Sequence, residues 1–320
     1  MIVLELIFGL VLVLWGADLL ISSAIAIGKK FNLSDFFIGI IVVGFGTSLS
    51  ELFVSIDAVI KNAGELSLGN VIGSNVANIL LVLGFSSLVK NFKVPKVSKT
   101  DNLIHVFVSL LFLMVCSVSK ITAYWGFLFI FIFICYIIKV FKNSKNNVLL
   151  ESGDDESNDF FTQKVYKKPV IFGLPIVLLS IAITVLGADL TVVKSIEISK
   201  IFGISESVIG LTLIAIGTSL PEIAAGIASA KKSKFNLIIG NIVGSNLYNI
   251  LLIIGSASFF NDFIYNKNVI LYDLLFLNVC VLLFTLINLR QLVINKKKSV
   301  LLIFIYIFYI IYIYEKTFGF

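Results

Sequence analysis

The chain has 320 residues, 58% of them hydrophobic, and its mean hydropathy of +1.05 lies far above the average for soluble globular proteins. Apolar runs of about 18 or more residues recur throughout, which indicates a protein that crosses a membrane several times. The net charge of +6 does not indicate affinity for nucleic acid, because the positions of the basic residues matter more than their number.

The apolar runs divide into ten segments, most of them long enough to cross about 30 Å of hydrocarbon as helices. Their hydrophobicity is continuous rather than alternating, which favours helices over strands. The predicted fold class is an all-α integral membrane protein with ten transmembrane helices. The predicted segments are 3–27, 34–60, 66–89, 103–119, 122–140, 169–193, 205–230, 236–259, 269–287 and 299–315.

Basic residues are distributed unevenly between the predicted loops. The loops after segments 1, 3, 5, 7 and 9 carry 19 of the 25 lysines and arginines. The positive-inside rule places these loops in the cytoplasm, so we expect both termini on the extracytoplasmic side. Together with the compactness of the chain, this favours a multi-pass protein of a prokaryotic inner membrane.

A polar stretch inside segment 2 occurs again inside segment 7. The first copy is Gly-Thr-Ser-Leu-Ser-Glu at 46–51, and the second is Gly-Thr-Ser-Leu-Pro-Glu at 217–222. A further cluster, Gly-Asn-x-x-Gly-Ser-Asn, follows each copy at 69–75 and 240–246, with a constant offset of 171 residues. The chain therefore looks like a duplicated half-molecule.

Each half contains five predicted spans, so the second half enters the membrane from the opposite face. The sequence repeat becomes an inverted structural repeat, a plan found in secondary transporters whose binding site lies between the repeats. We expect a first five-helix repeat at 1–140, a solvated cytoplasmic linker at 141–168 and a second five-helix repeat at 169–320.

Glu51 and Glu222 lie well inside segments 2 and 7, where a charge costs about 2.5–3.5 kcal/mol on insertion scales. The segments that carry the repeated clusters have no interior lysine or arginine to pair with these carboxylates. A bound cation, or a proton in its absence, is the natural partner. A protonated, hydrogen-bonded core acid is the structural alternative, but it does not explain the duplication.

Oxygen-bearing side chains surround each glutamate. Residues three or four positions apart share a helical face, which places the threonine and serine of each motif beside its glutamate. Hard cations such as Ca²⁺ and Na⁺ prefer oxygen, whereas zinc, copper and iron favour histidine or cysteine. The predicted ligands are Glu51, Glu222, Thr47, Thr218, Ser48, Ser219, Ser74, Ser245, Asn78 and Asn249.

The spacings Gly69–Gly73 and Gly240–Gly244 form G-x-x-x-G, for which close helix packing is the leading interpretation. Such packing would bring segments 2, 3, 7 and 8 together around both glutamates. Glycines within the motifs and Pro221 loosen these helices, which is tolerated in a membrane where the freed backbone lines a cavity.

On the two motifs at 46–51 and 217–222 and the two clusters at 69–75 and 240–246, the chain resembles the sodium/calcium exchanger family of the calcium/cation antiporters. The resemblance implies ten helices in two inverted halves. It implies an ion site between helices 2, 3, 7 and 8, with helices 1 and 6 sliding past this core. It also implies two glutamates as principal ligands, with hydroxyl or carbonyl oxygens from the threonines and serines named above.

The chain departs from the family pattern at two positions. Ser50 stands where the family usually has proline, which predicts a softer break in helix 2. Asn249 stands where many sodium/calcium exchangers carry aspartate, so the fixed charge of the site is −2 and Asn78 and Asn249 are neutral ligands. That charge neutralises one Ca²⁺ and leaves the identity of the counter-ion open.

The predicted function is a secondary antiporter that exchanges Ca²⁺ for Na⁺ by alternating access, with the two glutamates as shared ligands. A Ca²⁺/H⁺ or other cation/proton antiporter is the alternative, because a buried glutamate also binds a proton. An ion channel is an alternative function of a different class. An enzyme is disfavoured because no nucleophile–base pair is present. The expected partners are Ca²⁺, Na⁺ and membrane lipid, without cofactor, nucleic acid or obligate protein partner.

Other polar residues in the apolar segments have simpler interpretations. Asp18 and Asp189 occupy equivalent positions, where bonding to backbone or solvent is favoured over a direct transport role, and Asp57 is expected at a vestibule or surface. For His105 we expect a satisfied or interfacial imidazole rather than a proton relay. Buried, inert thiols are expected for Cys116, Cys135 and Cys280.

Overall fold

The computed structural model describes residues 2–118, 120–144, 172–201 and 215–318. This part of the chain is mainly helical. The helices are α1 (Ile2–Phe31), α2 (Asp35–Thr47), α3 (Leu49–Ile60), α4 (Gly64–Val89), α5 (Lys99–Val118), α6 (Ala123–Ser144), α7 (Leu174–Ile201), α8 (Ala215–Thr218), α9 (Leu220–Lys231), α10 (Phe235–Ala257), α11 (Lys267–Leu289) and α12 (Lys296–Phe318).

Seven of these helices are long and apolar enough to cross a membrane, and α2 and α3 together make an eighth candidate span. A helical membrane protein is therefore confirmed. The predicted linker at 141–168 and the first ten residues of the predicted segment 205–230 fall largely outside the described residues.

Both copies of the repeated motif interrupt a helix at the same place. Ser48 separates α2 from α3 with φ −79° and ψ 7°, and Ser219 separates α8 from α9 with φ −89° and ψ 0°. In the second copy Pro221 lies in the first turn of α9, where its missing N–H is tolerated. In the first copy Ser50 occupies the position of this proline, and α2 and α3 still meet at an angle of 45°. The break therefore does not require proline.

Helices α4 and α10 form the centre of the molecule. Within the apolar 18-residue stretch that could cross a membrane, 89% of the residues of α4 and 94% of those of α10 are buried. The corresponding share is 22% in α1 and in α6. The peripheral position of α6 corrects one expectation, because Cys135 on this helix is exposed at the apolar outer surface. Cys116 and Cys280 are buried, as predicted.

Glycines allow α10 to approach α2 backbone to backbone. A Cβ atom at Gly39 would lie 2.5 Å from a backbone carbonyl of α10 and 3.0 Å from Cα of Gly240. A Cβ atom at Gly244 would lie 2.8 Å from Cα of Ile40. Close packing is therefore confirmed for the second G-x-x-x-G spacing. At Gly69, in contrast, the position of a Cβ atom has nothing within 4 Å.

Helices α1 and α7 also cross in backbone contact. A Cβ atom at Gly9 would lie 3.0 Å from the carbonyl oxygen of Gly187, and one at Gly187 would lie 2.9 Å from the carbonyl oxygen of Gly9. A Cβ atom at Gly16 would lie 2.9 Å from the backbone nitrogen of Thr184. The two helices therefore pack as a close pair, one from each half of the chain.

Short β contacts join the two halves and modify the all-α prediction. The strand β1 (Phe92–Lys93) pairs antiparallel with β2 (Val293–Ile294). A single bridge links Ile121 with Phe263. Each contact joins a loop of the first half to a loop of the second, so they tie the halves together outside the helices.

The α2–α10 contact predicts that Gly240→Ala destabilises the protein, because the new methyl group would meet the backbone of α2. Overpacking of this kind costs about 1–3 kcal/mol. Thermal unfolding in detergent, followed by circular dichroism, should show a lower midpoint. Gly69→Ala is the matched control and should leave the midpoint unchanged or slightly raised. Equal midpoints for the two variants would contradict the proposed importance of this contact.

Candidate cation-binding site

The two glutamates of the repeated motif lie just after the helix breaks. Glu51 is in the first turn of α3 and Glu222 in the first turn of α9, and neither side chain is exposed to solvent. The N-terminus of a helix presents unpaired N–H groups and a partial positive charge. The breaks therefore bring each buried carboxylate close to the end of a helix that favours negative charge.

Both carboxylates accept hydrogen bonds from hydroxyl groups. Ser48 donates to Oε1 of Glu222 over 3.2 Å, and Ser50 donates to Oε2 of Glu51 over 3.0 Å. The remaining oxygens, Oε1 of Glu51 and Oε2 of Glu222, are buried and accept no hydrogen bond from the described residues. Because a buried acceptor without a partner costs about 1–3 kcal/mol, both atoms are suited to bind a positive ligand.

Hydrogen bonds between side chains connect the two halves at this point. Ser48 of the first half bonds Glu222 of the second. The hydroxyls of Ser74 and Thr218 are 3.3 Å apart, and Thr218 also donates to Oδ1 of Asn70 over 3.2 Å. The structure thus brings predicted ligands that lie 174 and 144 residues apart in sequence into one polar cluster between the halves.

The other predicted hydroxyl residues are also buried, and two of them donate hydrogen bonds to backbone carbonyl oxygens. Thr47 donates to the carbonyl oxygen of Val43 over 3.0 Å. Ser245 donates to the carbonyl oxygen of Gly44 over 3.5 Å, which links α10 to α2. Ser219 is completely buried at the break between α8 and α9.

Asn78 and Asn249 are completely buried beside this cluster. Asn249 donates from Nδ2 to Oδ1 of Asn75 over 3.0 Å, and Asn75 donates to the carbonyl oxygen of Asn246 over 3.4 Å. Oδ1 of Asn249 and both polar side-chain atoms of Asn78 have no hydrogen bond within the described part of the chain. Their amide oxygens are therefore free to act as neutral ligands.

His105 joins this asparagine network from α5. Its Nε2 atom lies 3.2 Å from Nδ2 of Asn246, and the side chain is buried. Nδ1 has no hydrogen-bond partner among the described residues. The imidazole is therefore buried and bonded through one ring nitrogen, so the expectation of a satisfied side chain holds in part.

The backbone is irregular at both predicted asparagine ligands. A π-helical segment, Asn78–Val82, begins at Asn78 in α4, and another, Tyr248–Ile254, includes Asn249 in α10. Such segments widen the helix and occur often at functional sites. The two halves therefore share an irregularity that residue types did not predict.

No ion pair involves Glu51 or Glu222 in the part of the chain that the structure describes. Within those same residues, no group of three or more histidine, cysteine, aspartate or glutamate side chains could hold a metal ion. A cation here would rely on two carboxylates and neutral oxygens. Ion pairs that the structure describes elsewhere include Asp57–Lys61, Asp101–Lys139, Glu5–Lys194, Glu197–Lys194, Asp18–Lys232 and Asp35–Lys234.

The remaining predicted acids are exposed or half exposed, unlike the two glutamates. Asp18 forms an ion pair with Lys232 at 3.1 Å and is half exposed, and Asp57 pairs with Lys61 at 2.7 Å on the surface. Asp189 is exposed. The surface position predicted for Asp57 is confirmed. The carboxylate of Asp18 has Lys232 as its partner.

Sequence reasoning missed several residues of the cluster. Ser50 bonds Glu51, Asn70 bonds Thr218, and Asn75 bonds Asn249. The asparagines stand at repeated positions of the two Gly-Asn-x-x-Gly-Ser-Asn clusters, so repetition alone could have identified them. Ser50 is not repeated and carries no such signal.

A known protein family matches most of the chain. A family model described as sodium/calcium exchanger protein matches residues 1–142 and 172–315. The putative antiporter CaxA of Alkalimonas amylolytica is 33% identical over 248 residues, which are 77% of each chain. The sodium/calcium exchanger MaX1 of Methanosarcina acetivorans is 32% identical over 304 residues, covering 80% of this chain and 82% of that protein.

The fold is similar to that of a solved exchanger. The sodium-calcium exchanger NCX_Mj, soaked with Na⁺ and Sr²⁺, superimposes with a TM-score of 0.80 at 28% sequence identity, over 97% of both chains. A structure of NCX_Mj soaked with Na⁺ and zero Ca²⁺ gives a TM-score of 0.79. The similarity therefore extends over almost the complete length of both proteins.

The asparagine network predicts that Asn75→Ala destabilises the protein by about 1–3 kcal/mol, because it leaves Nδ2 of Asn249 buried without an acceptor. Unfolding in mixed micelles of detergent and dodecyl sulfate would measure the loss in the free energy of unfolding. Asn261→Ala is the matched control, since it removes an asparagine–asparagine bond to Asn62 that also joins the halves but is exposed. The control should cost less than about 0.5 kcal/mol. Similar losses in both variants would be inconsistent with a special contribution from the buried pair.

Proposed function

The chain belongs to the sodium/calcium exchanger family, and on this basis we propose that it is a secondary antiporter that exchanges Ca²⁺ for Na⁺ by alternating access. MaX1 and NCX_Mj are named as exchangers of these ions, and the present chain covers most of the first and nearly all of the second. Ca²⁺ and Na⁺ are then substrates rather than resident cofactors.

One observation carries the proposal. Glu51 and Glu222 are completely buried in broken membrane helices, and each keeps a carboxylate oxygen without a hydrogen bond in the described structure. Two charges in such a place are costly, at about 2.5–3.5 kcal/mol each on insertion scales. A bound Ca²⁺ would neutralise both, since their summed charge of −2 equals that of the ion in magnitude.

The surrounding groups fit a hard cation. Ca²⁺ takes about 6–8 oxygen ligands at 2.3–2.6 Å, from carboxylates, amides, hydroxyls and backbone carbonyls. The cluster offers these chemical types and no sulfur. The proposed ligands are Glu51, Glu222, Thr47, Thr218, Ser48, Ser219, Ser74, Ser245, Asn78 and Asn249.

Coupling would follow from competition for one site. Na⁺ and Ca²⁺ are attracted to the same two carboxylates, which cannot be neutralised fully by both ions together. If more than two Na⁺ exchange for one Ca²⁺, the cycle moves net charge. Each such charge is then worth about 2.3 kcal/mol per 100 mV of membrane potential.

The architecture that we propose for this exchange has ten transmembrane helices in two inverted five-helix repeats, at 1–140 and 169–320, joined by a linker at 141–168. Three observations support it. The helix breaks recur at Ser48 and Ser219, the constant offset is 171 residues, and α1 and α7 contribute one member each to a close helix pair.

The proposed location is a prokaryotic inner membrane with both termini on the extracytoplasmic side. The unequal distribution of 19 of the 25 basic residues supports this orientation. The helices α1 and α7 would slide past the central helices to open the site to each side in turn.

Exchange of Ca²⁺ for protons is the second candidate. The observation that favours it is the same pair of buried carboxylates, because a carboxylate without a cation nearby binds a proton readily. The two candidates differ in the gradient that drives Ca²⁺ uptake, so one transport experiment separates them.

Uptake of Ca²⁺ into proteoliposomes that contain the full-length protein tests the proposal. Vesicles loaded with Na⁺ should accumulate Ca²⁺, whereas choline-loaded vesicles should not. The double variant Glu51→Gln, Glu222→Gln should reduce uptake to the level of protein-free vesicles, because it removes the site charge. Asp18→Asn is the matched control: it removes a carboxylate outside the site, and uptake should remain within about twofold, since an exposed ion pair contributes little.

The alternatives give distinct results in the same assay. Uptake that requires an imposed pH gradient and ignores internal Na⁺ would establish proton exchange instead. Ca²⁺ flux without any counter-ion gradient would indicate a channel. Full activity of the double glutamine variant would overturn the assignment of the glutamates as ligands.

A further inference from the structure

The two copies of the repeated motif differ at a single position. The first copy, 46–51, has Ser50 where the second copy, 217–222, has Pro221. Both residues lie in the first turn of a helix and immediately precede a buried glutamate. The first half therefore carries a side-chain hydroxyl at a place where the second half has none.

The Ser50 hydroxyl lies among three oxygen atoms contributed by both halves. Its Oγ atom is 3.0 Å from Oε2 of Glu51, 3.3 Å from the carbonyl oxygen of Thr47 and 3.5 Å from the carbonyl oxygen of Thr218. A hydroxyl has one proton, so it can donate to one of these acceptors at a time. The group contains more lone pairs than donors, which is the composition of a cation site.

The spacings match those of neighbouring ligands around one cation. Oxygen ligands of Ca²⁺ lie about 2.3–2.6 Å from the ion, so two ligands at right angles are about 3.4 Å apart. The three distances from Oγ of Ser50 run from 3.0 to 3.5 Å. The distances from the hydroxyl therefore allow one cation to contact it together with the carboxylate of Glu51 or with one of the carbonyl oxygens.

Ser50 also differs in burial from the hydroxyl residues predicted as ligands. It is partly exposed, whereas Pro221, at the equivalent position, is buried. The hydroxyl residues that are buried are Thr47, Ser48, Ser74, Thr218, Ser219 and Ser245. Ser50 therefore lies at the edge of the cluster, between the buried carboxylate of Glu51 and the surface.

We propose that the hydroxyl of Ser50 is a further ligand of the transported cation, supplied by the first half alone, and that it strengthens binding of Ca²⁺ relative to Na⁺. This inference rests on the proposed function, because it adds a residue to the same site. A hydroxyl dipole interacts about twice as strongly with a divalent as with a monovalent ion at equal distance. Losing this oxygen should therefore weaken Ca²⁺ binding more than Na⁺ binding.

Equilibrium Ca²⁺ binding to the full-length protein in detergent, with Na⁺ as competitor, tests the role of Ser50. Ser50→Ala should raise the Kd for Ca²⁺ about tenfold, the loss expected for one dipole facing a charge. The Kd for Na⁺ derived from the competition should change less than about threefold. Ser50→Thr keeps the hydroxyl and should bind Ca²⁺ within about twofold of the wild-type protein.

Ser50→Pro provides a second variant without the hydroxyl. It converts the first motif into the sequence of the second copy, which the chain already accommodates at 217–222, and it should match Ser50→Ala. Thermal unfolding without Ca²⁺ would check that each variant is folded. If Ser50→Ala does not fold, Ser50→Pro carries the comparison with Ser50→Thr.

Two results would overturn the inference. An unchanged Kd for Ca²⁺ in the variants that lack the hydroxyl would show that Ser50 is not a ligand. Equal weakening of Ca²⁺ and Na⁺ would show that the hydroxyl merely orients Glu51.

Failure of the proposed function would look different from failure of the Ser50 assignment. A protein that binds Ca²⁺ with the expected dependence on Ser50, but transports it without a requirement for Na⁺, would overturn sodium exchange and leave the ligand in place. A wild-type protein that binds no Ca²⁺ at all would overturn both.

Discussion

The burial of two carboxylates is the constraint on which the rest of the structure depends. Glu51 and Glu222 are inaccessible to solvent, and neither forms an ion pair within the described residues. A membrane interior offers no water to replace such a partner. The hydroxyls and helix N-termini around the two carboxylates lower the cost of their charge, and a bound cation would neutralise that charge. In the proposed exchanger, the surrounding polar groups form the coordination shell of the transported cation.

The packing of the helices follows from bringing these charges together. Backbone contact at Gly39, Gly240 and Gly244 allows α10 to lie directly on α2, next to the motif that carries Glu51. The breaks at Ser48 and Ser219 change the direction of the chain, so that each glutamate lies in the first turn of the helix that follows. Bulkier residues at the glycines would separate the halves, and the hydrogen bonds that cross between them would lengthen.

Duplication made much of this site predictable. The interior position of the glutamates and motif hydroxyls and the close packing at Gly240 could be predicted, because residue type and spacing carry that information. The contacts of Ser50 with Thr218 and of Asn75 with Asn249 could not, because they depend on how two distant halves are aligned. The exposure of Cys135 was mispredicted for a related reason, since an apolar segment can face either the protein interior or the lipid.

In the proposed exchanger, Glu51 and Glu222 bind the same cation. The most direct measurement is anomalous diffraction from crystals of the full-length protein grown with Ca²⁺, collected at a long wavelength. If both glutamates bind one Ca²⁺, a single peak is expected about 2.3–2.6 Å from an oxygen of Glu51 and from an oxygen of Glu222. A peak bound to one glutamate alone, or Ca²⁺ found only outside the cluster, would contradict it.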